Sequence, residues 1–175
     1  MQHAAIMTGG FPLTSSGPDT GSIGECRGRD SGKVLVPLIR LLYTSRESTP
    51  FSDAALRELI DDSNRRNAER GITGVLLYAS GRFMQLMEGP AQEVRDLARR
   101  IAKDPRHRDV VFLIDQPASH RMFYGWGMGL VHTNPDGAAA DDAPGIVPML
   151  LEVEGHDIVL NLLQNFHRKY IADAV

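Results

Sequence analysis

Three side chains stand apart in an otherwise ordinary α+β pattern: Tyr43 in LIRLLYTS, Asn67 in SNRRNAERGITG and Gln85 in GRFMQLMEG. None is an acid, a strong base or a metal ligand. A phenol and two amides do poor hydrolytic chemistry. They are suited to gripping the polar edge of a planar ring, because an amide offers donors at one end and an acceptor at the other, and to passing an electron with a proton. Each residue also has a plainer explanation. Tyr43 closes an apolar run and reads equally as a core tyrosine with its hydroxyl satisfied at a sheet edge. Gln85 alternates with Met84 and Leu86 and so points opposite to them. It is either turned away from the helices or buried with both amide ends in need of partners. Asn67 reads equally as a surface residue near a helix end.

The elements that must position these residues follow from pattern. Val34 to Tyr43 is dense in Val, Leu and Ile and reads as a buried strand despite Pro37. A loop, Thr44 to Ser52, leads to a helix capped by Ser52 and running to about Glu69, with Ala55, Leu56, Leu59 and Ile60 on one face. Gly71 ends it. Ile72 to Tyr78 and Arg82 to Met87 read as a hairpin around Ala79-Ser80-Gly81. Gly89-Pro90 opens a second helix, with Val94, Leu97, Ile101 and the stem of Arg100 turned inward. Asp109 to Gln116 reads as a fourth strand and Phe123 to Leu130 as a short fifth. The order βαββαβ with a further strand predicts an α+β, ferredoxin-like sandwich with two helices on one sheet face.

Outside this block, residues 1–33 are rich in Gly, Ser, Thr, Pro and Asp and read as a disordered leader, or as an over-extended gene start. Residues 132–145, HTNPDGAAADDAPG, read as a polar linker. Residues 146–175 form a C-terminal helical segment, broken near Gly155. In it Ile158, Leu162, Phe166 and Tyr170 keep a spacing of three to four, widened by Val159 and Leu163.

Bulk properties narrow the function classes. Hydrophobic residues at 42% and charged residues at 23% of 175 are ordinary for a globular protein. The net charge of −3 comes without a block of like sign, which speaks against a nucleic-acid or membrane-surface partner. No apolar run approaches the ~18 residues of a membrane span, and the N-terminus lacks the plan of a secretory signal. Cys26 is the single cysteine, so no internal disulfide can form and a reducing cytoplasm is the expected compartment. The six histidines show no zinc spacing, and GxGxxG, GxxxxGK[ST] and GxSxG are all missing. Asp61-Asp62 reads as a solvated helix face.

The strings LLYTSRES, NAERGITGVLLYASGRFMQLMEGP, RRIAKDPRHRDV and RMFYGWGM, in this order and at these intervals, resemble the BLUF domain, a blue-light sensor that uses FAD. Each string is weak alone; the set of four is specific. The resemblance places that domain at 34–131 and implies FAD held noncovalently between the two helices. It implies Tyr43 as the photoactive tyrosine, Gln85 as the switching glutamine and Asn67 as the partner of the flavin ring edge. Ser63 and Arg66 match positions lining the flavin, and Leu59 and Ile101 the apolar residues on either side of the ring. Asp104, Arg106 and His107 match the stretch beside the ribityl and phosphate part, and Pro105 departs from the residue many members carry there. Trp126 and Met128 match a fifth-strand pair whose position is argued to change with light. From pattern alone, Trp126 reads as a packing residue and Arg106-His107 as a solvated turn.

By the same resemblance, Tyr43 donates an electron and its proton to the excited flavin, and Gln85 is left in a changed hydrogen-bond arrangement. The chain is then a sensor and not an enzyme, signalling to an unknown downstream protein and forming a homo-oligomer. The C-terminal helical segment is either a sheet cap or a signalling element. Two alternatives stay open: a ferredoxin-like small hydrolase of the acylphosphatase kind, and a light-inactive BLUF-like interaction module.

Overall fold

In the computed structural model, which describes residues 36–125, 127–133, 139–141, 145–152 and 157–172, the first strand starts directly after Pro37. Proline has no N–H to give a ladder, so β1 (Leu38–Glu47) begins one residue later. It also runs further than its apolar stretch, through residues expected to be loop. Thr44 to Arg46 stay in register with Met84 to Arg82, and the ladder carries the polar residues along.

Ser52 caps α1 (Asp53–Glu69) by accepting the Ala55 amide at 3.2 Å. The hairpin of β2 (Thr73–Ala79) and β3 (Arg82–Pro90) closes through Ser80 and Gly81, with φ of 50° and 69°. Two left-handed residues give the turn whose twist matches that of the strands. Pro90 precedes α2 (Ala91–Ile101), where its missing N–H costs nothing. β4 (His107–Pro117) follows.

The sheet has six strands in the order β4-β1-β3-β2-β5-β6, where β5 is Gly129–Thr133 and β6 is Ala139–Asp141. Every pairing is antiparallel except that of β5 with β2. The fold is the expected ferredoxin-like sandwich, with two differences. The fifth strand begins at Gly129, six residues later than the expected start at Phe123, because the backbone just before it is bonded to α1 instead of to a strand. Residues 132–145 are not wholly linker: 132–133 end β5 and 139–141 pair with it.

Both faces of the sheet are covered. On the inner face Leu56 and Ile60 of α1 and Val94 and Ala98 of α2 meet Ile39, Leu41, Tyr43, Leu76, Phe83 and Met87. On the outer face Leu42, Val75, Leu77, Met84 and Leu86 meet the C-terminal segment. That segment comprises α3 (Ile146–Glu152), α4 (Ile158–His167) and a π-helical turn at Arg168–Ala172. The face α4 buries is Val159, Leu163 and Phe166 with Leu160, and Ile158 of the expected stripe is exposed. The buried face is thus centred on the residues that widen the stripe, one residue or about 100° of helix rotation from Ile158. Asp157 caps this helix, its Oδ1 accepting the Val159 amide at 2.8 Å. The leader, Cys26, Trp126 and the break near Gly155 lie outside the described residues.

Candidate functional site

Tyr43 and Gln85 are register partners across β1 and β3, so the backbone ladder alone sets their side chains face to face on the inner side of the sheet. The Tyr43 hydroxyl donates to Gln85 Oε1 at 2.6 Å, and Gln85 Nε2 donates to Met128 Sδ at 3.2 Å. Both residues are nearly closed off from solvent, at 1% and 7% exposure, so each polar atom depends on this chain of bonds. Burial pushes the Tyr43 pKa far above the ordinary tyrosine value, and the charge of Asp104 adds to the rise. The phenol is therefore held neutral, with its proton aimed at Gln85. Edge-on ring contacts to His107 and Phe112, at 6.3 and 6.2 Å, fix its plane.

Met128 is delivered by the segment before β5, and α1 holds that segment. Asn67 Nδ2 donates to the Gly127 carbonyl at 3.0 Å, and Asn64 Oδ1 accepts the Met128 amide. A Cβ on Gly127 would stand 2.5 Å from the Asn64 carbonyl oxygen, so only glycine lets the chain lie this close to the helix.

Above the Tyr43–Gln85–Met128 floor is a cavity of about 480 Å³ between α1 and α2. The size suits a small-molecule or cofactor site. Leu59, Ser63, Arg66 and Arg70 follow each other at helical spacing along the α1 wall, and Leu97, Arg100 and Ile101 line the α2 wall. Asp104, Arg106 and His107 close one end. Of the four consecutive residues Ser63 to Arg66, Ser63 and Arg66 line the cavity, while Asn64 turns to Met128. The structure thus brings together every candidate site residue named from the sequence except Trp126, which lies outside the described residues.

The charges at the rim are of two kinds. Asp104 accepts the Arg106 amide at 2.9 Å and its guanidinium at 2.6 Å, which holds its carboxyl below the usual range. Arg66 is paired to Asp62 at 3.0 Å. Arg70 and Arg100 enter no ion pair among the described residues. His107 is kept neutral because burial lowers its pKa, and its Nδ1 is 2.9 Å from Ser45 Oγ.

Residues 38–129 match the BLUF family, described as sensors of blue-light using FAD, and this is just over half of the chain. The chain belongs to the BLUF family. It is 40% identical over 86 residues to photoactivated adenylate cyclase subunit beta of Euglena gracilis, covering 49% of this chain and 10% of that protein. It is 38% identical over 95 residues to the blue light- and temperature-regulated antirepressor BluF of Escherichia coli (strain K12), covering 53% of this chain and 23% of that protein. The chain therefore spans less than a quarter of the curated relatives it matches. The solved BlrP1 BLUF structure superposes with a TM-score of 0.60 at 31% identity, covering 78% of this chain and 91% of that one. BLUF domains are sensors and not catalysts, and they bind flavin.

The chemistry of the BLUF cavity in this chain fits a flavin. Leu59, Leu97 and Ile101 give apolar walls for a planar ring, and Gln85 and Asn67 give an amide edge. The Asn67 side-chain oxygen accepts no bond within the described residues and is left for a ligand. Arg70 and Arg100 offer unspent positive charge for phosphates. Sequence reasoning missed these two arginines, and it missed Asn64 and Gly127 as the seat of Met128. A signal for Arg70 was present in its spacing of four from Arg66. The contact of Asn64 with residue 128 carries no local signal, since it is made between segments 64 positions apart.

Proposed function

We propose that this chain is a blue-light photoreceptor that holds FAD noncovalently between α1 and α2 and reports light as a rearrangement of the Tyr43–Gln85–Met128 hydrogen bonds. The observation that carries the reading is the unbroken chain from phenol to amide to thioether at the cavity floor. Gln85 and Asn67 would hold the polar edge of the ring, with Leu59 and Ile101 on either side and Ser63 and Arg66 along it. Asp104, Arg106 and His107 would border the ribityl chain. FAD, when bound, supplies the blue absorption and an excited-state electron acceptor.

The residues do the rest. Tyr43, buried and neutral, gives up one electron together with its hydroxyl proton and takes both back at once on recombination, so nothing is consumed and only the Gln85 arrangement is left changed until it relaxes in the dark. The proton leaves along the 2.6 Å bond to Gln85 Oε1. Whether the Gln85 amide rotates or changes tautomer, an end that donated becomes one that accepts. A thioether sulfur accepts hydrogen bonds only, so an oxygen turned toward Met128 ends that bond.

The cyclase subunit and the antirepressor show by name what effectors relatives carry. For this chain the output is read as contact with a separate signalling protein, with the C-terminal helices as the surface that changes and a homo-oligomer as the working state. No helix among the described residues is long and apolar enough to cross a membrane. With one cysteine in the chain, the cytoplasm is the compartment proposed.

The test is an absorption spectrum of the purified protein before and after blue light. A flavin spectrum that moves slightly to the red and returns in darkness supports the reading. Flavin without a shift supports the light-inactive module instead. No flavin at all overturns the proposal.

A further inference from the structure

Glu88 is 0% exposed yet carries a carboxylate, on the outer face of the sheet and away from the cavity. Arg40, its register partner on β1, donates to it from Nε at 2.8 Å and is itself buried. A buried ion pair adds little net stability over apolar residues of like size, so its presence asks for another reason. The reason lies in what else the pair holds. Glu88 accepts the amides of Met122 and Phe123, at 2.8 and 2.9 Å to Oε2. Arg40 donates to the His120 carbonyl at 3.1 Å and reaches Asp157 Oδ2 at 3.4 Å. The other oxygen of that same Asp157 carboxylate caps α4.

We propose that Glu88, Arg40 and Asp157 are positioning residues that link the Gln85–Met128 contact to the N-terminus of α4. This rests on the photoreceptor reading above. Phe123 sits in the outer core and Met128 in the inner core. The five steps between them span at most ~18 Å of extended chain. Both ends are pinned, by Glu88 on the outer face and by Asn64, Asn67 and Gln85 on the inner one. Release of Met128 by Gln85 removes one of the inner pins and shifts load toward the other end. The load falls on the Met122 and Phe123 amides, then on Glu88 and Arg40, and Arg40 shares the carboxylate that caps α4. The Gln85 amide is the two-state element and α4 is the part it biases.

Hydrogen–deuterium exchange of the full chain with FAD, in darkness and under blue light, tests the link. Wild type is expected to show the absorption shift and a light-dependent change in exchange over α4. Asp157→Asn keeps an N-cap of equal quality and removes the charge facing Arg40. In that variant the shift stays, and the light-dependent change in α4 falls about fivefold or more, the lower end of ordinary coupling between sites. The double change Arg40→Met with Glu88→Gln, which leaves no lone buried charge, is expected to do the same. If that double variant fails to fold, Asp157→Asn decides alone. An α4 difference that survives in Asp157→Asn overturns the link, as does wild type that shifts its spectrum with no change in α4. A variant that loses the absorption shift also overturns it, since the cluster would then only support the site. Wild type with flavin but no shift overturns the photoreceptor reading itself.

Discussion

Tyr43 and Gln85 sit directly opposite each other in the β1–β3 ladder and join side chains at 2.6 Å. The site therefore has its first contact built on two paired strands, where a loop would leave it to chance. Tyr43→Phe keeps the ring and deletes the one donor aimed at Gln85 Oε1. It is expected to retain flavin and to lose the light-induced shift, read by difference absorption. The orphaned amide oxygen costs about 1–3 kcal/mol if no ligand reaches it, which urea unfolding of the flavin-free protein would show.

In the proposed switch, Met128 is the second partner of Gln85. Met128→Leu preserves volume and apolar character and removes the sulfur that Gln85 Nε2 bonds at 3.2 Å. The arrangement before light is then the one destabilised. The shift should persist and its decay in darkness should slow, by at most about fivefold for a contact worth up to ~1 kcal/mol. Following the recovery at one wavelength after a pulse of light checks this. A faster decay would mean that the thioether is not the partner lost on switching.

The sequence made the strands and helices legible because each buries one regular face: Leu56 and Ile60, Val94 and Ala98, and the alternation of β3 across Phe83 to Met87. Tyr43 and Gln85 were visible as polar groups in apolar strands, but their pairing was not, since the two-residue turn fixes only the register of β2 with β3 while β1 meets β3 from across α1 and β2. The segment before β5 was not legible. Its Gly-rich string looked like a strand, and what stops it from being one is a set of bonds to Asn64 and Asn67, far away in sequence. Glu88 and Arg40 were equally hidden, since a charged pair at opposite register positions looks like a surface pair until the 120–123 segment and Asp157 close on it. The depth of α4 turned on a single residue of helix phase, which the overlapping stripes at Ile158 and Val159 left undecided.

Two histidines set the acid limit of the fold. Burial lowers the pKa of both His107 and His167, and neither ring nitrogen of His167 has a hydrogen-bond partner among the described residues. Each binds its proton more weakly folded than unfolded. Their contribution is thus fully present above the unfolded value of ~6.5 and is lost as pH falls through it toward the lower folded values. The urea midpoint should drop between pH 7 and 5, before the window in which Asp104 is protonated. His167→Leu is expected to flatten part of that slope. A midpoint that rises on acidification would contradict this account of both residues.

If FAD occupies the cavity as proposed, Arg70 and Arg100 are the residues expected to tell its phosphates from its ring. Both line the cavity and neither forms an ion pair among the described residues, whereas Arg66 and Arg106 already answer Asp62 and Asp104. Riboflavin carries the ring without phosphates, so the two arginines should matter only for flavins that bring negative charge. Arg70→Gln with Arg100→Gln is expected to weaken FAD by roughly three- to tenfold at low salt, as two partly exposed ion pairs would, and to leave riboflavin binding unchanged. Raising the salt should shrink the difference, because exposed charges are screened over about 10 Å at 0.1 M. Titrating the flavin-free protein with each compound and following fluorescence quenching measures both affinities. Equal losses for FAD and riboflavin would place the arginines as supports of the α1 and α2 walls, while no loss for either would send the phosphates out of their reach.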